Sequence, residues 1–284
     1  MLHFSWLSSV WAATRSHAYA AIAAPWSPLK KLRRSVLMPL FALPDTGIFG
    51  LKPLRLHILI CGFPRAGTTL LQMMLENAHP EARRFGREVG GWRAATYSIR
   101  NHAIVISKVP HDIARLEGLR HYYEGRKARL KIIVMIRDPR DVMTSQRTLD
   151  GVFQYCVPPD RWRFHYQHIL AQQGKPDVLL VRYEDLVRDV DAQQARIEAF
   201  TGEPVTHPFG MFHEIERKDF DTSTLNGLRP VEQSLLNRWR APKHKARIED
   251  LLRQMPELPQ ALIDLGYETD DSWVKSLTAA SADA

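Results

Sequence analysis

The segment from Gly62 to Thr69 has the composition and spacing of a phosphate-binding loop. It follows an apolar run and leads at Gly67 into an amphipathic helical pattern, so its backbone N–H groups would converge at a helix N-terminus. The spacing is close to that of a G-x-x-x-x-G-K-[ST] loop, but Thr68 occupies the lysine position. A loop that holds β- and γ-phosphates with Mg²⁺ depends on that lysine. We therefore expect this loop to hold a single 5′-phosphate through N–H groups, the two threonine hydroxyls and Arg65.

This loop also has a simpler interpretation, because a glycine-containing turn between strand and helix is common in α/β proteins that have no phosphate site. Further polar residues, however, follow other apolar runs. Lys108, Arg137 and Tyr183 each stand at the end of such a run, and Ser145 follows Arg137 by eight positions. A guanidinium and a hydroxyl can together grip a second phosphate. The alternative for this pair is a surface salt bridge of the arginine with a neighbouring aspartate and a solvated serine.

The elements that must position these residues alternate between strands and helices. Apolar runs predict buried strands at about 56 to 61, 103 to 110, 131 to 136 and 177 to 182. Helices are expected at about 67 to 78, 112 to 123, from Pro139 through Ser145, from Pro159 to about 173, and up to Phe200 with Gly202 closing the last one, whereas 81 to 92 reads as a loop. This order specifies a three-layer α/β/α fold with a mostly parallel sheet, and the spacing of the loop from Gly62 to Thr69 makes it a P-loop-like nucleotide-binding fold. Since ligands bind at the carboxyl ends of such strands, we expect one site to collect the candidate residues.

Composition fits one sizeable α/β domain with additions. The chain has 284 residues, of which 45% are hydrophobic and 25% charged, so disorder or a fibre is excluded. Two cysteines, Cys61 and Cys156, cannot form a disulfide framework, and their setting favours a reducing, cytoplasmic compartment. None of the twelve histidines has the spacing of a metal ligand set.

Much of the net charge of +8 lies near the N-terminus. Residues 1–55 contain seven Lys and Arg residues but one acidic residue, Asp45, together with several aromatic residues. This distribution argues against a nucleic-acid surface over the whole domain. Two interpretations of the segment remain open: an interfacial arm at an anionic membrane, or a segment packed on the domain with a solvated basic tail. No apolar run is long enough to span a bilayer.

At the loop Gly62-Phe-Pro-Arg-Ala-Gly-Thr-Thr69 the sequence resembles sulfotransferases that use 3′-phosphoadenosine 5′-phosphosulfate (PAPS). The loop, Arg137 and Ser145 follow one another in the same order as in the family. Tyr183 resembles a family position near the adenosine, and Ser234 resembles one in a segment that folds back over the nucleotide. The resemblance covers about residues 56 to 268. It implies a cofactor site formed by Gly62, Pro64, Arg65, Ala66, Gly67, Thr68, Thr69, Arg137, Ser145, Tyr183 and Ser234. The predicted organisation is an arm at 1–55, a sulfotransferase domain at 56–275 and a disordered polar tail at 276–284.

The resemblance also implies how sulfuryl transfer would proceed. Lys108 and Arg65 would stabilise the charge on the leaving phosphate, with no metal ion. In the tyrosylprotein and carbohydrate branches, the nearest in motif, a glutamate after the first helix is the base, and Glu88 resembles it. The phenol and steroid branch uses a histidine between the lysine and a proline. Val109 stands in that place here, and the nearest histidine is His111.

Alternatives remain for the base and for the activity. Glu88 could instead form a surface ion pair with Arg83, Arg84 or Arg87. The acceptor would be a hydroxyl of a carbohydrate, lipid, peptide or small molecule, and the oligomeric state cannot be read from the sequence. Two other functions stay open. One is a nucleotide-dependent small-molecule kinase, which is disfavoured because Thr68 occupies the position of the loop lysine, and the other is a catalytically silent nucleotide-binding scaffold.

Overall fold

The computed structural model describes residues 46–96, 101–149, 151–214, 220, 229–275 and 277. Most of the predicted arm at 1–55 and nearly all of the tail at 276–284 lie outside the described residues, so the predictions made for these two segments stay predictions. In the described part of the chain, no helix is both long and apolar enough to cross a membrane.

A parallel sheet of four strands forms the centre of the domain. The strands of the chain are β1 (Leu56–Gly62), β2 (Ile104–Lys108), β3 (Arg129–Ile136), β4 (Gln146–Leu149), β5 (Val152–Tyr155) and β6 (Val178–Arg182). The central sheet has the order β2-β1-β3-β6, and all its pairs are parallel. All residues of β1 and β2 are buried, which explains their continuous apolar sequence.

Helices follow the strands in the alternating order that the sequence predicts. They are α1 (Thr68–Ala78), α2 (Gly91–Thr96), α3 (Leu116–Tyr123), α4 (Pro139–Thr144), α5 (Pro159–Leu170), α6 (Tyr183–Arg188), α7 (Val190–Thr201), α8 (Lys245–Gln254) and α9 (Leu258–Asp264). Gly202 adopts the left-handed conformation after α7 and ends that helix. The predicted three-layer α/β/α fold class is confirmed.

The order of the strands places a crevice beside β1. Because β1 pairs with β2 on one side and with β3 on the other, the direction in which the chain adds strands reverses at β1, and ligands bind at such a switch point. Gly62, Lys108, Arg137 and Tyr183 stand at or directly after the carboxyl ends of the four strands. The prediction that these ends share one edge is confirmed.

Several predicted boundaries are wrong. The helix expected at 112 to 123 begins as a 3-10 helix, Pro110–Arg115, and becomes α-helical only in α3. The expected loop at 81 to 92 already contains the start of α2. Ser145 is not inside a helix, because α4 ends at Thr144 and Ser145 is extended. It leads into the antiparallel hairpin of β4 and β5, which the sequence reading missed.

The C-terminal segment packs on α4 through one buried cation. The Arg140 guanidinium lies 3.9 Å from the ring centroid of Trp239 and 4.7 Å from that of Trp273. It also forms ion pairs with Asp138 at 2.8 Å and Glu268 at 2.6 Å. Aromatic faces and carboxylates together compensate the burial of this charge, so the segment after residue 235 is an integral part of the domain.

Candidate active site

The phosphate-binding loop has a shape that two glycines permit. Gly62 has φ 122°, and a Cβ there would lie 2.2 Å from the carbonyl oxygen of Met135. Gly67 caps α1 with φ 80°, and a Cβ there would lie 2.5 Å from Cδ2 of Tyr183. Arg65 between them also has a positive φ, 68°. Side chains at either glycine would therefore fill the space that the turn and the neighbouring ring require.

Lys108 connects this loop to the candidate base. Its Nζ donates to Thr69 Oγ1 at 3.0 Å and to Glu88 Oε1 at 2.7 Å. The lysine side chain is only 2% exposed, whereas that of Glu88 is 60% exposed. A buried ammonium that already donates to a hydroxyl and a carboxylate is well placed to meet an anion at the loop. Glu88 thus forms its ion pair with Lys108, whereas the alternative interpretation of the sequence was a surface ion pair with a neighbouring arginine.

Buried polar groups hold the segment that carries Glu88. The fully buried carboxylate of Glu76 accepts hydrogen bonds from the backbone N–H groups of Phe85 and Gly86, at 3.2 and 3.3 Å. Gln72 Nε2 donates to the same carboxylate and to the carbonyl oxygen of Arg87. Helix α1 thus fixes both the phosphate loop at its start and the segment before Glu88 along its length.

Arg137 is held in a fixed orientation beside the loop. Its guanidinium lies 4.4 Å from the ring centroid of Tyr183, and its Nη2 donates to Asp141 Oδ2 at 3.2 Å and to the carbonyl oxygen of Leu235 at 3.0 Å. Nη1 donates to the carbonyl oxygen of Arg65 at 3.3 Å. The Nε atom is buried and has no hydrogen-bond partner among the described residues.

Asp141 joins Arg137 to the C-terminal segment. Its side chain is 1% exposed, and its second oxygen, Oδ1, accepts from the backbone N–H of Trp239 at 2.8 Å. From the sequence, an aspartate close to Arg137 was expected only as its partner in a surface salt bridge. The structure places it inside the site, where one carboxylate orients the arginine and fixes the chain that passes over it.

Most of the predicted site residues meet around one cavity of about 640 Å³. Its lining includes Pro64, Arg65, Gly67, Thr68, Thr69, Glu88, Arg137, Ser145 and Tyr183. Ser145 Oγ accepts a hydrogen bond from Arg65 Nε at 3.1 Å. Gly62 and Ala66 are buried parts of the loop framework. Ser234 is exposed, donates to Glu232 and does not line the cavity, so its role in cofactor binding stays a prediction.

His111, which lines the cavity after β2, is hydrogen-bonded to a second histidine, His165, behind it. His165 is fully buried, and its Nδ1 donates to the carbonyl oxygen of Arg161 at 2.7 Å, which leaves its Nε2 to accept from Nδ1 of His111 at 3.1 Å. Burial, with the Arg161 cation as a further cause, lowers the pKa of His111 to about 4 and that of His165 to about 3. Both rings are therefore neutral at pH 7.

The site is cationic and lacks a metal-ligand set in the part of the chain that is described. Its Arg and Lys side chains outnumber the carboxylates, which are Glu88, Asp141 and Glu232. The described residues contain no group of three His, Cys, Asp or Glu that could hold a metal ion. An arrangement of backbone N–H groups, hydroxyls and cations of this kind suits a polyanionic ligand such as a nucleotide with several phosphates.

Comparisons with known proteins agree with this chemistry. A family profile described as the sulfotransferase domain matches residues 55–235, more than half of the chain. The chain therefore belongs to the sulfotransferase domain family, and the predicted class of enzyme is confirmed. It is also similar to the protein-tyrosine sulfotransferase A of Caenorhabditis elegans, with 25% identity over 266 residues that cover 74% of this chain and 67% of that protein.

Two solved structures illustrate the structural likeness. The sulfotransferase domain of the Synechococcus olefin synthase is 20% identical, with a TM-score of 0.47 over 67% of this chain and 89% of that one. A mouse sulfotransferase complexed with PAP is 14% identical, with a TM-score of 0.44 over 76% of this chain and 91% of that one.

Proposed function

We propose that this protein transfers the sulfuryl group of PAPS to a hydroxyl group of an acceptor. The observation that carries the proposal is the position of Lys108, whose Nζ lies within hydrogen-bond distance of both Thr69 in the phosphate loop and Glu88. One cation thereby links the place where a leaving phosphate would lie to a carboxylate that can take a proton. Membership of the sulfotransferase domain family supports the same reaction.

The residues around the cavity suggest how each end of the donor would be bound. We assign the 5′ end to the loop N–H groups, Thr68, Thr69 and Arg65, and the 3′-phosphate to Arg137 and Ser145. Support comes from the space above Gly67, which a Cβ would fill, and from the buried Nε of Arg137 that lacks a partner in the described part. The ring of Tyr183, between Gly67 and Arg137, would contact the adenosine.

The reaction exchanges one bond to sulfur for another. The acceptor oxygen forms a bond to sulfur while the bond from sulfur to the bridging phosphate oxygen breaks, and adenosine 3′,5′-bisphosphate leaves. By analogy with phosphoryl transfer, the protein mainly positions the reactants and stabilises charge. Lys108 and Arg65 neutralise the negative charge that develops on the phosphate oxygen released from sulfur. Glu88 accepts the proton of the acceptor hydroxyl.

We favour Glu88 over His111 as the base because of their surroundings. Glu88 lies one hydrogen bond from the lysine that would meet the leaving group, whereas Nδ1 of His111 is engaged with His165. Lys108 binds Glu88 in the structure, and donation to a bound phosphate would turn the ammonium away from the carboxylate. Glu88 would then be available as a proton acceptor when the donor is in place. Because these cations supply the charge compensation, we further propose that transfer needs no metal ion.

Thermal-shift measurements with nucleotides test this function before an acceptor is known. Adenosine 3′,5′-bisphosphate should raise the melting temperature, and ATP with Mg²⁺ should raise it much less at the same concentration. A larger stabilisation by ATP with Mg²⁺ would favour a phosphotransferase instead. Screening hydroxyl compounds with labelled PAPS, with and without EDTA, then identifies the acceptor class and tests the independence from metal.

A further inference from the structure

The cavity holds more cations than its own carboxylates compensate. Each carboxylate that lines it already has a cationic partner: Glu88 pairs with Lys108, Asp141 with Arg137, and Glu232 with Arg229 at 3.4 Å. The remaining cations of the lining have no carboxylate within salt-bridge distance among the described residues. They are Arg65, Arg147, Arg161, Arg238 and Lys243.

The order of the strands separates a donor side of the cavity from an acceptor side. In the proposed function the donor extends from the loop after β1 to Arg137 after β3 and Tyr183 after β6. Lys108 and His111 lie after β2, at the opposite edge of the sheet, and strands β2 and β6 are about 14 Å apart at the usual spacing. The acceptor must therefore enter on the β2 side, next to Glu88.

Arg161 lies on this acceptor side. It is the third residue of α5, and its charge contributes to the low pKa of His111, the residue that follows Pro110 after β2. Helix α5 is fixed against the phosphate loop because Trp162 stacks on Phe63 with ring centroids 5.5 Å apart. Arg161 is thus a cation on a rigid element rather than on a mobile surface chain.

The hydrogen bonds of Arg161 are unusually incomplete for a half-buried arginine. Nη1 makes one long hydrogen bond of 3.4 Å to the carbonyl oxygen of Cys156, and Nε is buried without a partner among the described residues. Partly buried guanidinium groups are normally compensated by carboxylates or several acceptors, because their desolvation is costly. An anionic group of a ligand would supply the hydrogen-bond acceptors and the negative charge that the described residues do not provide for Arg161.

We propose that the acceptor of this enzyme carries an anionic group, a carboxylate, phosphate or sulfate, close to the hydroxyl that receives the sulfuryl group, and that Arg161 binds this anion. The proposal rests on the proposed function, since it assigns the neighbouring cations to PAPS. It makes Arg161 a specificity-determining residue that distinguishes acidic acceptors from neutral ones of the same shape.

Calorimetry with non-reacting probes tests this proposal without a known acceptor. Phenyl phosphate, phenylacetate and the neutral phenylacetamide are titrated at constant ionic strength into enzyme saturated with adenosine 3′,5′-bisphosphate, so that the donor cations are occupied. The two anions should bind at least about tenfold more tightly than the amide, as expected for a charge-assisted contact. The relative affinities of the two anions distinguish a phosphate from a carboxylate as the group bound.

Variants then attribute the preference to one side chain. Arg161→Gln should weaken anion binding about tenfold to a hundredfold, and Arg161→Lys should retain part of it. Arg163→Gln is the matched control, because Arg163 is on the same helix and pairs with Glu257 outside the cavity. Affinity for adenosine 3′,5′-bisphosphate should be the same in all these variants.

Three results would overturn the proposal. The first is equal binding of anions and amide by the wild type, and the second is no binding of either anion. The third is a loss of adenosine 3′,5′-bisphosphate affinity in Arg161→Gln, which would assign this arginine to the donor. Failure of the proposed function itself looks different, because the wild type would then not bind adenosine 3′,5′-bisphosphate at all.

Discussion

Lys108 Nζ and Glu88 Oε1 lie 2.7 Å apart, and the pair joins an almost fully buried lysine to a largely exposed glutamate. Solvent screens the exposed carboxylate of this pair, which limits what the ion pair contributes to stability. The pair lies beside Thr69 of the phosphate loop, and the buried Glu76 holds the segment before Glu88, as the proposed roles of the two residues in the reaction require.

Replacing Glu88 by glutamine should remove the base and leave the site otherwise intact. Glutamine has the same shape and can still accept a hydrogen bond from Lys108, but it cannot take the acceptor's proton. Turnover should fall by about 10² to 10⁴, with nearly unchanged affinity for adenosine 3′,5′-bisphosphate. Steady-state kinetics with an acceptor from the screen and calorimetry for the nucleotide measure the two effects.

His111→Ala is the comparison for Glu88→Gln, and it should cost much less activity. Both variants must first be shown to fold and bind the nucleotide. If His111→Ala abolishes turnover while Glu88→Gln retains it, the base is the histidine, and the enzyme belongs mechanistically with the branch that uses one.

Substitutions of Arg137 and Asp141 should selectively weaken the binding of nucleotides that carry a 3′-phosphate. Arg137→Ala should weaken adenosine 3′,5′-bisphosphate by about 2 to 4 kcal/mol and barely affect adenosine 5′-phosphate. Asp141→Asn can keep a hydrogen bond to the Trp239 N–H but loses the charge that orients the guanidinium, so we expect a smaller selective loss of about 1 to 2 kcal/mol. Equal losses for both nucleotides by calorimetry would remove the assignment.

Gly67→Ala should destabilise the protein more than Gly125→Ala. Both glycines have a positive φ, 80° and 70°, so alanine costs about 1 to 2 kcal/mol of backbone strain at each. Only at Gly67 does the added Cβ meet a side chain, the ring of Tyr183, whereas nothing lies within 4 Å at Gly125. Urea denaturation should therefore show an additional loss of about 1 to 3 kcal/mol for Gly67→Ala. Equal free energies of unfolding would mean that the ring moves aside.

The free energy of unfolding should decrease as the pH falls from 7 to 4. His111 and His165 have pKa values of about 4 and 3 in the folded protein and about 6.5 when unfolded, so the unfolded chain binds more protons in this range. Because the two rings titrate as a coupled pair and His111 is partly exposed, we expect a joint loss of about 2 to 4 kcal/mol. Urea denaturation of a His111→Gln, His165→Gln double variant should show a flatter pH dependence. An unchanged slope would contradict this origin.

The basic, aromatic segment at the N-terminus allows a test of membrane contact. If residues 1 to 35 bind an anionic surface, co-sedimentation with acidic vesicles should decrease as salt rises, because exposed charges are screened within about 8 to 10 Å. A shortened protein without these residues should no longer bind. Equal vesicle binding by the shortened protein would exclude the arm as the contact, and failure to fold would indicate that the segment packs on the domain.

The sequence predicted the strands, the loop and the polar residues at the strand ends because each depends on local pattern. A continuous apolar run followed by a polar residue places Lys108 or Arg137 at one edge of a parallel sheet without further information. The hairpin of β4 and β5 also has a local signal, since Asp150-Gly151 is a typical two-residue hairpin turn sequence.

Other features of the site depend on contacts between distant segments and have no local signal. Asp141 reads as a surface acid in its own helix, and only the approach of Trp239, 98 positions later, places it in the site. The location of Arg161 likewise depends on the stacking of Trp162 on Phe63. Tertiary packing, rather than periodicity, determines which charged side chains of such a chain reach the cavity.

The contacts of Arg140 with Trp239, Trp273 and Glu268 set a minimum length for a folded fragment of this enzyme. The family match ends at residue 235, but a chain cut there would lack Trp239, Glu268 and Trp273. Arg140 would keep only Asp138 of the partners described above, and the apolar surface of α4 around it would be exposed to water. We therefore expect a recombinant fragment that reaches Trp273 to be more stable than one that ends at residue 235, because only the longer one keeps these partners of Arg140.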